Sequence, residues 1–131
     1  MKVLALDFGS ARTGVAVSDP TGTVARPVGI VDDAASERGI ARVVELARQE
    51  GVELIVVGLP ITLRGEHGAQ AEETERFVES LRAATELPVQ SFDERFTTKL
   101  AGSTQTKAPE DAAAAAHLLT SYLTWKSSRA T

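Results

Sequence analysis

Lys2-Val3-Leu4-Ala5-Leu6-Asp7-Phe8-Gly9-Ser10 is the stretch on which the reading of this chain turns. It is an apolar run of strand length with a carboxylate near its end, and a glycine follows. Arg12-Thr13-Gly14 comes next, then a second apolar run, Val15-Ala16-Val17, which ends at Ser18-Asp19-Pro20. A charge in such a run is costly to bury unless it is paired or bound to a metal. Asp7 therefore asks what lies opposite it.

Working outward, residues 2–8 and 14–18 read as two strands joined by a tight glycine-containing turn, with Arg12 in that turn. Val24 to Val31 is a third strand, and Pro27 suggests an edge position or an irregularity. The period then changes. Ile40, Val43, Val44 and Ala47 fall at i, i+3, i+4 and i+7, the spacing of an amphipathic helix. Asp33 or Ser36 can cap its start, and Gly51 stands where it stops. Leu54-Ile55-Val56-Val57-Gly58 is continuous and β-branched, as in a strand covered on both faces. Residues 61–68 form a loop with two glycines. A second helix carries Thr74, Phe77, Val78 and Leu81 on one face. Leu87 to Phe92 is a fifth strand that runs into Asp93-Glu94-Arg95. Residues 99–108 read as a loop. Pro109-Glu110-Asp111 opens a last helix that reaches about Leu123, with a short polar tail from Trp125.

The order βββαβαβα predicts an α/β protein. An antiparallel start leads into parallel strands covered by helices. Sites in such sheets form at the carboxyl ends of strands. Asp7, the Gly58-Leu59-Pro60 corner and Glu94 all fall there.

The chain of 131 residues carries a net charge of −4 and has no cysteine, which excludes disulfides and thiolate metal sites. The acidic balance argues against non-specific nucleic-acid binding over the whole surface, but leaves room for a local basic rim. The N-terminal apolar run is too short for a membrane span and lacks a signal-peptide layout. The expectation is one soluble domain over residues 1–131, cytoplasmic, with no membrane partner.

Three acids come from separate segments: Asp7, Glu94 and Asp111. On the last helix Asp111, Ala115, Leu118 and Tyr122 share one face, and the alanines at 112–116 allow a close approach to the sheet. Converging carboxylates repel one another unless cations intervene. Hard oxygen ligands suit Mg²⁺ or Mn²⁺, and a pair of such ions about 4 Å apart is the usual arrangement for phosphodiester hydrolysis. Each acid also has a plainer reading. Asp7 could accept backbone N–H bonds, Glu94 could pair with Arg95, and Asp111 could complement the helix dipole. Arg12, Arg64, Arg95, Lys99 and Lys107 are candidate phosphate contacts around this acidic centre. His67, in the glycine-rich loop, and His117, on the last helix, lack metal-ligand spacing. No Ser/His/Asp set and no Walker A sequence is legible.

These residues resemble the YqgF, or RuvX-like, family of pre-16S ribosomal RNA nucleases, also described as Holliday junction resolvases. The resemblance is carried by Val3 to Pro20, by Val57-Gly58-Leu59-Pro60, by Asp93-Glu94-Arg95-Phe96-Thr97-Thr98, and by Asp111-Ala112 through Leu118 to Leu123. It implies a ribonuclease H-like fold, a five-stranded mixed sheet with the second strand antiparallel, flanked by helices. It also implies a metal-dependent nuclease site at Asp7, Glu94 and Asp111, and a role in maturing the 5′ end of 16S ribosomal RNA. Cleavage of Holliday junctions or single-stranded DNA is the alternative, and junction cutting would call for a twofold homodimer. The sequence departs from the family pattern in a short loop between Thr98 and Asp111, and in Thr62-Leu63-Arg64-Gly65, where an Asn and an Asp usually precede the glycine. Both departures concern the choice of substrate. Two other classes remain open: a non-catalytic RNA-binding assembly factor, and a nucleotide-binding module suggested by Asp7-Phe8-Gly9-Ser10, for which a chain of one lobe is short.

Overall fold

Two hydrophobic periods in the sequence become two layers of helix on one sheet. The computed structural model describes residues 1–59, 68–93 and 110–129. The strands are β1 (Val3–Asp7), β2 (Arg12–Ser18), β3 (Ala25–Asp32), β4 (Leu54–Leu59) and β5 (Val89–Asp93); the helices are α1 (Glu37–Glu50), α2 (Ala69–Ala84) and α3 (Glu110–Arg129). The sheet order is β3-β2-β1-β4-β5, so β1 is central. β2 runs antiparallel to β1 and β3, while β4 and β5 run parallel to β1. This is the mixed five-stranded sheet, second strand antiparallel, that the family resemblance implied.

β1 alternates between the two layers, as any strand must. Leu4, Leu6 and the following Phe8 join Val15, Val17, Ile55 and Val57 in a core under α1 and α2. Val3 and Ala5 join Ala16, Leu54, Val56 and Phe92 in a second core under α3. β3 is an edge strand, as Pro27 suggested, and its register against β2 shifts between Val15 and Ala16.

Local signals account for most boundaries. Ser36, and not Asp33, caps α1: its side chain accepts the Gly39 N–H at 3.0 Å. Asp33 sits in the preceding turn at φ 47°, where its carbonyl accepts from Ser36. Gly51, at φ 67°, closes the helix by donating to the Ala47 and Arg48 carbonyls, a conformation that glycine adopts at little cost. Asp19 organises the β2–β3 turn, accepting the Thr23 and Val24 N–H groups at 2.8 and 2.9 Å and the Thr21 hydroxyl. Those bonds, the Thr21 hydroxyl first, hold its carboxyl well below the usual carboxylate range.

The structure corrects three expectations. Arg12 is the first residue of β2 and not part of the turn, because β2 begins early enough to pair Arg12 with Asp32 of β3. β5 starts at Val89 and extends to Asp93, one residue past Phe92. The tail from Trp125 is helix: α3 continues to Arg129. The sequence there looks polar, but Trp125 packs on Phe92 with ring centroids 5.6 Å apart. Among the described residues no helix is long and apolar enough to cross a membrane.

Candidate nucleic-acid cleavage site

Asp7 closes the central strand and is half-buried. It lies opposite Gly14 of β2. Two residues after Ala5 and four after Val3, it shares their parity, and that is the parity facing α3. The rows of the sheet align Leu6 with Val57, and Val57 with Ser91. Asp7 is one step beyond that row, level with the ends of β4 and β5. Strands lie roughly 4.8 Å apart, so β1 and β5 are separated by about twice that distance, with Gly58 of β4 between them.

On β5, Phe92 belongs to the α3-side core, and the side-chain amide oxygen Oε1 of Gln90 accepts from the Tyr122 hydroxyl at 3.2 Å. Position 94 continues this parity in the sequence. Glu94 itself lies outside the described residues, as do Arg64, His67, Arg95, Lys99 and Lys107. Position 111 falls in the first turn of α3. The helix face that the spacing assigned to it is buried at Ala115, Leu118 and Tyr122. The backbone thus places the start of α3 on the sheet face that Asp7 shares. His117 is half-exposed on α3, in keeping with a partly packed residue. Among the described residues no three His, Asp or Glu side chains gather to hold a metal ion, and of the three candidate acids only the Asp7 side chain is described.

The turn after Asp7 is built with care. The Thr13 hydroxyl accepts the Gly9 N–H at 3.3 Å and returns a bond to the Gly9 carbonyl at 3.4 Å. A Cβ on Gly9 would lie 2.4 Å from the Arg12 carbonyl oxygen, so the turn closes only around glycine. Arg12, on the far side of the turn, is exposed. Two contacts from α2 escape a reading of the sequence. Phe8 stacks on Phe77, with centroids 4.5 Å apart and rings 19° from parallel. Ser10 donates to Glu73 at 2.7 Å. Each joins residues more than sixty positions apart, and no local pattern in the sequence signals that.

A central strand ending in a carboxylate, flanked on one side by an antiparallel strand and on the other by parallel strands, with a terminal helix laid over the carboxylate's face, defines the class: this is the ribonuclease H-like fold as RuvC-type resolvases carry it. Solved structures agree. Thermus thermophilus RuvC in complex with Holliday junction substrate superposes with a TM-score of 0.69 over 98% of this chain and 96% of that one, at 17% identity. The fowlpox virus Holliday junction resolvase gives 0.53 over 95% and 99%, at 16% identity. Within that class the chain belongs to the RuvX family, described as Holliday junction resolvase, whose model matches residues 1–125. The protein of Chloroflexus aurantiacus named "Putative pre-16S rRNA nuclease" is 42% identical over 130 residues, which cover 92% of this chain and 85% of that protein. The protein of the same name from Rubrobacter xylanophilus is 49% identical over 100 residues, covering 76% and 70%.

Proposed function

We propose that this chain is a metal-dependent nuclease that hydrolyses phosphodiester bonds and matures the 5′ end of pre-16S ribosomal RNA. The observation that carries this reading is Asp7: a half-buried carboxylate at the carboxyl end of the central strand, on the face over which α3 begins. Family membership and the names of the relatives support it. In this reading Asp7, Glu94 from the segment after β5 and Asp111 from the first turn of α3 would hold two Mg²⁺ or Mn²⁺ ions. When bound, such ions supply an activated water and neutralise charge on the phosphate. The chain's own part is to fix the carboxylates and the phosphate. Arg12 stands at the rim of the same turn, and Arg64, Arg95, Lys99 and Lys107 are assigned to phosphate contacts. Residues 1–131 act as one nuclease domain in the cytoplasm, where the RNA substrate is processed.

A second reading, cleavage of branched or single-stranded DNA, is favoured by the likeness to a RuvC bound to a Holliday junction. It brings a twofold homodimer with it, because a junction is cut at two places. A non-catalytic RNA binder is the remaining outcome.

Purified protein with Mn²⁺ or Mg²⁺, offered matched single-stranded RNA, single-stranded DNA and junction substrates, tests all three. Cleavage should require the divalent ion and favour RNA. Asp7→Asn should remove about a thousandfold of the rate, the equivalent of roughly 4 kcal/mol, without loss of folding. Wild-type rates from the purified Asp7→Asn protein would end the nuclease reading. RNA affinity without products in either metal would favour the binder.

A further inference from the structure

The Asp7 turn is held by α2 at two points on one face of that helix. Glu73 and Phe77 stand at i and i+4, so they are neighbours along the helix surface. Phe77 takes the Phe8 ring in a stack, and Glu73 takes the Ser10 hydroxyl at 2.7 Å. Phe8 follows Asp7 directly and points to the opposite face of the sheet, so the stack fixes the peptide between them. Ser10 lies beyond Gly9, whose N–H and carbonyl are both engaged by Thr13. The sheet ladder holds Asp7 from one side, through Gly14. The Phe8 and Ser10 contacts hold it from the other.

Phe77 is wholly inside, and the stack it makes has the ordinary character of a core contact. The Ser10–Glu73 bond is different. Ser10 is exposed and Glu73 half-buried. A hydrogen bond across exposed surface adds little to stability. It does fix where the turn sits relative to α2, at the end of the sheet that carries Asp7.

We infer that Ser10 and Glu73 are positioning residues for Asp7: their bond pins the turn after β1 to α2 and so sets the direction of the Asp7 carboxylate. The inference rests on the proposed nuclease reading and adds two residues to it. Neither residue touches the scissile bond. Their effect is on geometry, and small displacements of reacting groups are costly to rate.

The test uses Ser10→Ala, Glu73→Ala, the double variant and Ser10→Thr, beside wild type. Four quantities are read: kcat and KM for RNA cleavage in Mn²⁺, Mn²⁺ affinity by calorimetry, and hydrogen exchange of the Gly9 amide in metal-free protein. Ser10→Ala should lower kcat about tenfold, leave KM within about twofold, weaken Mn²⁺ binding and speed Gly9 exchange. Glu73→Ala should match it, and the double variant should be no worse than either single one, because one bond is lost in all three. Ser10→Thr, which keeps the hydroxyl, should recover most of the rate. An unchanged kcat in Ser10→Ala overturns the inference, even where Gly9 exchange rises. So does a raised KM at constant kcat, which would make Ser10 a substrate contact. Additive losses in the double variant would also overturn it. Failure of the parent reading looks different: there Asp7→Asn cleaves as wild type does, while Gly9 exchange still responds to Ser10→Ala.

Discussion

The two faces of the central strand are built from different materials. Toward α1 and α2, β1 presents Leu4 and Leu6 and continues into Phe8; its neighbours there are Val15, Val17, Ile55 and Val57. Toward α3 it presents Val3, Ala5 and then Asp7, with Ala16 beside them on β2 and Leu54 and Val56 on β4. The helices answer in kind. α1 and α2 bring Ile40, Val43, Leu46, Phe77, Val78 and Leu81, whereas the first turns of α3 bring the buried alanines 112 and 115 before Leu118 and Leu119 follow. Large side chains facing large ones fill the first layer, and each Å² of apolar surface so removed from water stabilises by roughly 25 cal/mol. Small facing small lets a helix lie close to the sheet. The thick face holds the fold together. The thin face lays the first turns of α3 over the side of the sheet that Asp7 shares.

That division can be broken from either side. Leu6 is fully buried on the thick face. Leu6→Ala removes its methyl groups and leaves a cavity, at a cost of about 2–5 kcal/mol. The expected outcome is a large fall in unfolding free energy by urea titration, with the cleavage rate per folded molecule close to wild type. Ala115, also fully buried, sits on the thin face one helical turn after Asp111. Ala115→Leu overfills that layer, at about 1–3 kcal/mol. The smaller stability loss should come with the larger activity loss, because α3 must move off the sheet and take Asp111 with it. If the two variants lose activity in proportion to their stability, the faces are not specialised as described.

How much of this was legible in the sequence follows from the range of each signal. Strand alternation, the helical spacing of Ile40 to Ala47 and the caps at Ser36 and Gly51 are local, and all are found in the structure. The candidate role of Asp7 rests on one charge in an apolar run, again local; the central place of β1 does not show there, because the sheet order depends on distant pairings. The face of α3 that carries Ala115, Leu118 and Tyr122 was readable from spacing alone. Failures began where a partner distant in the chain decides. Trp125 stands among polar residues and reads as tail, yet it is helical because Phe92 and Tyr122 give its ring a surface to cover. Arg12 reads as a turn residue because its strand pairing depends on Asp32, twenty positions on. Ser10 and Glu73 each read as polar residues facing water until the fold brings them together.

The far end of the thin face offers the mildest test of the same comparison. Tyr122 is buried there, edge-on to Phe92 at 5.4 Å, with its hydroxyl donating to Gln90. Burial pushes its hydroxyl pKa above the ordinary value near 10. A raised pKa on an acid means the folded state keeps the proton longer than the unfolded chain does. Below about pH 10 both states are protonated and the group contributes no pH dependence. As pH rises past that value, the unfolded chain ionises first, and stability falls until the folded state ionises too. Wild type should therefore lose stability as pH rises above about 10, with a slope that Tyr122→Phe reduces. At neutral pH Tyr122→Phe removes one hydrogen bond, at about 1 kcal/mol, and keeps the ring contact with Phe92. Urea titrations of the two proteins across that range check the sign. Equal slopes would mean that Tyr122 opens to solvent and that α3 does not cover β5 as tightly as its alanines cover β1 and β2.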